Sequence, residues 1–311
     1  MKVQVALQGG GAKLMALLAA METVEGFEGK IRVTRLAGTS AGSIVACLFA
    51  LGFSMRQIRI ELQGKFGQEI LAAFPPAGWF TIARRNRAGR SLWDMGVLRK
   101  WLQKKVETEK GITRFEDLEK EGAMPFEVSS TDLRSGGVKH YAESDNVVEA
   151  VLDSCAIPFF FRSWNIGGAG TLHVDGGMCE NLPVWKLKAG EKEMENGDLK
   201  WGRAIAFSFE PETPGLPGDI CDFTRALIST SIDNTVYRAK QALGADSVHE
   251  IKTILKTFDF KTALTPGEAA VAGVSPHFLN SSDCSPQAAT ASTRCICLPI
   301  FAASPLLLFM P

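Results

Sequence analysis

An α/β fold with a mostly parallel central sheet flanked by helices is predicted here on three observations. Apolar, strand-like runs alternate with Ala/Leu-rich helical runs from the first residues onward. Two of the early runs end directly in glycine-rich turns that open a helix, at Gly9-Gly10-Gly11 and at Gly38-Thr39-Ser40-Ala41-Gly42. Further strand patterns recur at 125–131, 172–175 and 204–209, separated by helical stretches.

Bulk properties narrow the field. With 311 residues, 46% of them hydrophobic, the chain can build a substantial core as one large or two ordinary domains. Lys+Arg and Asp+Glu balance at 34 each, so no net field draws it to nucleic acid, which is not an expected partner. The 7 cysteines (Cys47, Cys155, Cys179, Cys221, Cys284, Cys295, Cys297) lack paired C-x-x-C spacing, so neither a disulfide framework nor a zinc site is indicated. Met1 to Leu7 enters a strand pattern at once, without the charged and apolar regions of a secretory signal, so a cytoplasmic location is expected. No internal repeat is found.

Lys2 to Leu7 reads as a buried strand, Gln8 to Lys13 as a glycine loop, and Leu14 to Val24 as a helix. The three glycines expose backbone N–H groups suited to a phosphate or an oxyanion, or simply allow a tight turn. A dinucleotide fingerprint fails because Leu14 stands where its last glycine belongs, and a P-loop fails because Lys13 precedes Leu14 instead of Ser or Thr. Ile31 to Ala37 is the second strand, and the helix after Ser43 points its N-terminus at Ser40. A serine between two glycines suits a strained strand-to-helix turn with an exposed hydroxyl; the plain alternative is close packing of small residues. Parallel strands joined by a right-handed crossover bring both turns to one sheet edge.

Ser54 is expected to cap a helix to Lys65, and Asp94 to start one through Val106. Between them, Trp79 and Phe80 precede Arg84, Arg85, Arg87 and Arg90, a mixture that suits an anionic lipid surface or a solvated connection. Thr113 to Glu116 matches a capping box for a helix ending at Glu121. Pro125 to Thr131 and Val138 to Ala142 form a hairpin around Asp132, a turn residue, and Asn146 to Cys155 an amphipathic helix. Phe159-Phe160-Phe161 is core or the wall of an apolar pocket. Asp175, ending a short strand before Gly176 and Gly177, faces the loop edge. A short helix begins at Asn181 to Val184, Ala204 to Phe209 is another buried strand, and Asp219 to Leu243 is helical. Residues 265–311 hold only Glu268, Asp283 and Arg294 as charges and keep no period, so they are expected to be a poorly ordered tail outside a domain of residues 1–264.

Together Gly9-Gly10-Gly11-Ala12-Lys13, Gly38-Thr39-Ser40-Ala41-Gly42, Ser154-Cys155-Ala156-Ile157-Pro158 and Asp175-Gly176-Gly177 resemble the patatin-like phospholipases, in that family's order and along about residues 1 to 260. The resemblance implies a three-layer patatin-like fold and a serine acyl hydrolase with no catalytic histidine, acting on phospholipids or related acyl lipids; no cofactor or metal is expected, and the loop of aromatics and arginines makes peripheral membrane contact an expectation. It implies Ser40 as nucleophile, Asp175 as proton acceptor, and Gly9, Gly10 and Gly11 with the N–H of Ala41 as oxyanion hole. Lys13 either steadies the loop or attracts a lipid phosphate, and Phe159 and Phe161 are candidates for keeping the cleft dry. Leu14 departs from the pattern, standing where many members have glycine. Oligomeric state and lipid specificity are left open.

Two other readings compete. Ser40, Asp175 and His249 follow the chain order of an α/β-hydrolase triad, but that fold builds several strands before its elbow, and His249 falls in helix-like Ser247 to Phe258. A non-catalytic lipid-binding protein of the same fold is the second.

Overall fold

Strand β1 (Lys2–Leu7) is the middle of the sheet because every side chain after Lys2 is buried, Val3, Val5 and Leu7 alternating with Gln4 and Ala6. A strand buried on both faces needs helices on both sides. The computed structural model describes residues 1–27, 29–74, 84–85, 87–88, 90–161, 172–211, 218, 220–257, 259–265 and 273–274, all within one compact unit, Met1–Ser275.

After β1 come α1 (Leu14–Glu25), β2 (Arg32–Thr39), α2 (Ala41–Ala50), α3 (Met55–Gln63), α4 (Lys65–Ala73) and α5 (Gly96–Gln103). They are followed by β3 (Phe126–Asp132), β4 (Gly137–Lys139), α6 (Val147–Ser154), β5 (His173–Asp175), α7 (Gly177–Glu180) and α8 (Val184–Lys188). The described chain closes with β6 (Arg203–Phe209), α9 (Ile220–Leu243), β7 (Val248–Lys252), α10 (Phe260–Leu264) and β8 (Gly273–Val274). The sheet order is β8-β7-β6-β1-β2-β3-β4; the run from β7 to β3 is parallel, and β8, β4 and β5 add antiparallel pairs. The protein is thus a mixed α/β fold with a mostly parallel central sheet between helices.

Small residues decide how closely the layers approach. Ala6, Ala37, Ala204 and Ala206 present a shallow sheet face, and Val184, Leu187, Val236 and Ala239 of α8 and α9 settle on it. Toward the other side, α2 packs on β2 and β3, and α1 on α2 and α3. The glycines of the serine turn have a steric reason: a Cβ on Gly38 would lie 2.3 Å from the carbonyl oxygen of Gly42, and a Cβ on Gly42 would lie 2.3 Å from that of Leu7. β1, β2 and α2 therefore cross with main chain against main chain.

Several local expectations change. His249 lies on strand β7, not on a helix, with His249 and Ile251 buried and Glu250 and Lys252 exposed at period two. The helix after Ser54 ends at Gln63, and its first N–H, that of Met55, is taken by the Glu25 carboxylate at 3.0 Å. The helix expected from Thr113 begins at Asp117, whose carboxylate accepts from the N–H groups of Thr113 and Arg114, so Asp117 caps instead of Glu116. Gly273 and Val274 pair with Lys252 and Ile251; of the expected tail, 266–272 and 275–311 lie outside the described residues, as do Trp79 and Phe80. Among the described residues no helix is long and apolar enough to cross a membrane.

Replacing Gly42 by Ala forces a methyl group into the Leu7 main chain and should cost about 2–4 kcal/mol of folding stability. The check is the denaturation midpoint of the purified variant. An unchanged midpoint would mean that β1 and α2 can separate freely.

Candidate active site

Ser40 terminates β2 and caps α2 with φ 51° and ψ −124°, in the left-handed half of backbone space. A non-glycine residue there stores about 1–3 kcal/mol and persists only where its surroundings enforce it. The enforcement is visible. The Ser40 N–H donates to Ser154 Oγ at 2.7 Å, and that hydroxyl donates onward to the Ser129 carbonyl at 2.6 Å. On the other side the Ser40 carbonyl accepts from the N–H and the hydroxyl of Ser43, at 2.8 and 2.6 Å. The corner is thus pinned to α6, β3 and the first turn of α2.

Sheet register brings Asp175 to this corner. Thr39 is opposite Ser129 in the parallel β2–β3 pair, and the next residue of β3, Ser130, is opposite Asp175 in the antiparallel β3–β5 pair. Where β2 leaves the sheet at Ser40, β5 takes up the vacated edge. Gly176 is required because a Cβ there would lie 2.1 Å from the Ser129 carbonyl oxygen and 2.9 Å from Thr39 Cγ2. Asp175 is buried; its Oδ1 accepts from the Gly177 N–H at 2.8 Å, while Oδ2 is buried without a full hydrogen bond. Burial pushes its carboxyl up from the ordinary 3.8 to about 6, against the opposing pull of the nearby Ser40 hydroxyl and the Gly177 N–H.

The glycine loop closes the third side. A Cβ on Gly9 would lie 3.2 Å from Ser40 Cβ and 2.3 Å from Asn181 Oδ1, so the loop main chain runs directly against the serine. Asn181 holds it there: the Gly9 N–H donates to the Asn181 carbonyl at 3.0 Å, and Asn181 Nδ2 donates to the Gly9 carbonyl at 3.4 Å. This corrects the expected donor set, because the Gly9 N–H is already engaged. Gly11, at φ 54°, and Ala12 lie against Thr257, whose carbonyl accepts the Ala12 N–H at 2.8 Å. The first-turn N–H of Ala41 has no acceptor within its own helix. Lys13 is buried with its ammonium 5.1 Å from the centre of the Phe209 ring.

From Ser40, Ala41 and Gly11 an almost wholly apolar cleft runs between α3, α4 and α10, walled by Leu14, Leu62, Ile70, Phe161 and Leu264 among others. Leu14, the departure from the family pattern, is thus part of this wall. Phe161 lines the cleft, whereas Phe159 does not: it is 42% exposed at φ 69°, its carbonyl held by the Leu92 N–H while its ring turns outward. Cys155 also borders the cleft; burial first, and then the Asp175 charge, push its thiol well above the ordinary range, so it stays protonated. His249 does not join the site. It is level with Phe207 on the far side of β6 and β1, about 14 Å from β2 at ordinary strand spacing, and burial followed by the Arg203 charge keeps it neutral.

Ser40, Asp175 and the loop stand out in the sequence, whereas nothing local marks Asn181, Ser129 or the hydroxyl of Ser154. Ser154 was legible as part of a motif, whereas Asn181 looked like an ordinary helix start.

A serine at a positive-φ corner, a buried carboxylate and a glycine loop thus meet at one edge of an α/β sheet. The patatin-like phospholipase profile matches residues 5–188, and the chain belongs to that family, whose family-level activity is lipid acyl hydrolysis. It is 32% identical over 203 residues to the uncharacterized protein YqhO of Bacillus subtilis (strain 168), covering 59% of this chain and 66% of that one. Among solved structures it is similar to VipD from Legionella pneumophila, at 14% identity and a TM-score of 0.42, over 86% of this chain and 65% of that one. The type III effector ExoU of Pseudomonas aeruginosa matches at 15% identity and a TM-score of 0.38, over 86% of this chain and 49% of that one. The chain therefore spans less than two thirds of the length of each of these relatives.

Ser154→Ala removes the acceptor that holds the Ser40 N–H and should lower kcat by on the order of 10- to 100-fold on a soluble ester with little change in KM. Steady-state kinetics beside a thermal melt separates this from unfolding. A KM effect alone would place the role of Ser154 in the cleft wall.

Proposed function

We propose that this chain hydrolyses carboxylic esters of phospholipids or related acyl lipids, as a phospholipase A-type enzyme, through a Ser40–Asp175 dyad. The observation that carries the reading is the meeting of a strained Ser40 with a buried, proton-hungry Asp175 at the head of an apolar cleft. A carboxylate near pKa 4 is a weak base at neutral pH; one raised to about 6 is better matched to a serine hydroxyl and still ionised at pH 7.

The chemistry then runs in two halves. Ser40 Oγ bonds to the ester carbonyl carbon as its proton passes to Asp175, and the carbonyl becomes a tetrahedral oxyanion facing the N–H groups of Gly10, Gly11 and Ala41 at the positive end of α2. Collapse breaks the bond to the alkoxide leaving group, which takes the proton back from Asp175 and departs as an alcohol. Water attacks the acyl-serine with Asp175 as base, and the acid is released as the proton returns to Ser40. Gly9 serves by its lack of a side chain, not as a donor. The acyl chain lies in the cleft, where Leu14, Leu62 and Leu264 offer methyl and methylene contacts but almost no polar group.

Ser40→Ala and Asp175→Asn should each abolish turnover of a p-nitrophenyl ester, and kcat/KM of the parent should fall as pH drops through about 6, where Asp175 takes a proton. A parent profile flat from pH 5 to 8 would remove Asp175 as the base.

The same carboxylate links activity to stability. Its folded pKa lies above the unfolded value of 3.8, so protonation favours the fold below that value and the benefit is lost as pH rises through about 6. Asp175→Asn escapes that loss and should be more stable than the parent above pH 6, by up to about 3 kcal/mol, with the gap closing near pH 4. Urea melts at the two pH values read it directly; a variant that is less stable at neutral pH would show that the ionised carboxylate holds the corner together.

A further inference from the structure

We propose that Arg84, Arg85, Arg87, Arg90 and Phe159 form the surface by which this protein docks on an anionic lipid bilayer, with the mouth of the apolar cleft turned toward the membrane. The proposal rests on the acyl-hydrolase reading for the direction of the substrate, but it is a claim about binding and can fail separately.

The four arginines are all exposed, no acidic residue lies between Arg84 and Arg90, and among the described residues none of them is ion-paired. They are attached to the cleft by a continuous set of contacts. The Arg90 N–H donates to the Arg85 carbonyl and Arg85 Nε to the Ser91 carbonyl, both at 2.9 Å. The next N–H groups, of Leu92 and Trp93, donate to the carbonyls of Phe159 and Phe160 at 3.1 and 2.8 Å. Trp93 packs 5.3 Å from Phe161, and Phe161 packs 4.9 Å from Phe74; both phenylalanines line the cleft. The basic segment is therefore fastened to the aromatic wall of the site.

Phe159 points to the same occupant. Its neighbours Phe160 and Phe161 join the aromatic cluster on Trp93, yet Phe159 is 42% exposed and held at φ 69°, a conformation a bulky residue adopts only under constraint. Phe159 thus presents an apolar ring to solvent on the segment that the Leu92 N–H ties to the basic stretch. At an anionic bilayer surface the ring enters the headgroup region and the guanidinium groups meet phosphates and carboxylates. A soluble polyanion would satisfy the arginines but leave the ring exposed.

The test uses the full chain and vesicles of ether-linked phosphatidylcholine, with and without ether-linked phosphatidylserine, so that hydrolysis plays no part. The parent should co-sediment with the phosphatidylserine vesicles, weakly with phosphatidylcholine alone, and less as salt is raised. Replacing all four arginines by glutamine should weaken binding by roughly 600-fold, at about fivefold per charge, while the four Arg→Lys changes keep it within a few-fold. The glutamine variant should retain parental turnover of a soluble short-chain ester. Phe159→Gly, which suits the positive φ, should weaken vesicle binding several-fold without lowering the melting temperature. Equal binding by parent and glutamine variant, or equal binding to both vesicle types, overturns the proposal. Normal vesicle binding by a parent without esterase activity would keep the surface and sink the hydrolase reading instead.

Discussion

Three pieces of main chain meet at the end of β2 with no space for a side chain between them. The Leu7 carbonyl lies against Gly42, the Gly42 carbonyl against Gly38, and the Gly9 backbone against Ser40 and Asn181. That close crossing fixes the angle at which β2 turns into α2, and the angle in turn forces Ser40 into a positive φ. The pairing of β3 with β2 and then with β5 depends on the same turn, because β5 can reach Ser130 only where β2 has left the edge. The strained serine, the buried aspartate and the glycine loop are therefore consequences of one steric constraint at the carboxyl edge of a parallel sheet.

Such a site runs against stability at two points. Ser40 sits in an unfavourable backbone region, and Asp175 is ionised at neutral pH in surroundings that disfavour charge. Both are sustained by the alanine-lined packing of α8 and α9 on β1, β2 and β6, and by buried hydroxyls that satisfy the backbone around the corner. Ser129 takes part on both levels: its carbonyl accepts from Ser154, and its own hydroxyl donates to the buried Glu180 carboxylate at 2.6 Å. A rigid frame of this kind keeps the reacting groups in place before a substrate arrives, which is where positioning contributes most to rate.

Much of this was legible in the chain. The strand–glycine–helix order located β1, β2 and both turns, because glycines at a parallel-sheet edge have few other uses, and four short motifs in one order identified the family. What escaped had physical causes. Val248, Ile251 and Leu255 fit a helical spacing as well as a strand, and only pairing with β6 decides for the strand. The three phenylalanines looked equivalent, but the hydrogen bonds from Leu92 and Trp93 fix the backbone so that Phe159 alone turns outward. Asn181 and Ser154 act through hydrogen bonds to residues 172 and 114 positions away, which no local pattern encodes.

The central claim is that Ser40 is the nucleophile of this corner, and the most direct measurement is the position of a covalent adduct. Treatment with an alkyl fluorophosphonate, followed by peptide mass spectrometry, should place a single phosphonyl group on Ser40, with a labelling rate that falls as Asp175 is protonated below about pH 6. Label on Ser43 or Ser154 with Ser40 unmodified, or no label on a folded protein that still hydrolyses esters, would contradict the account.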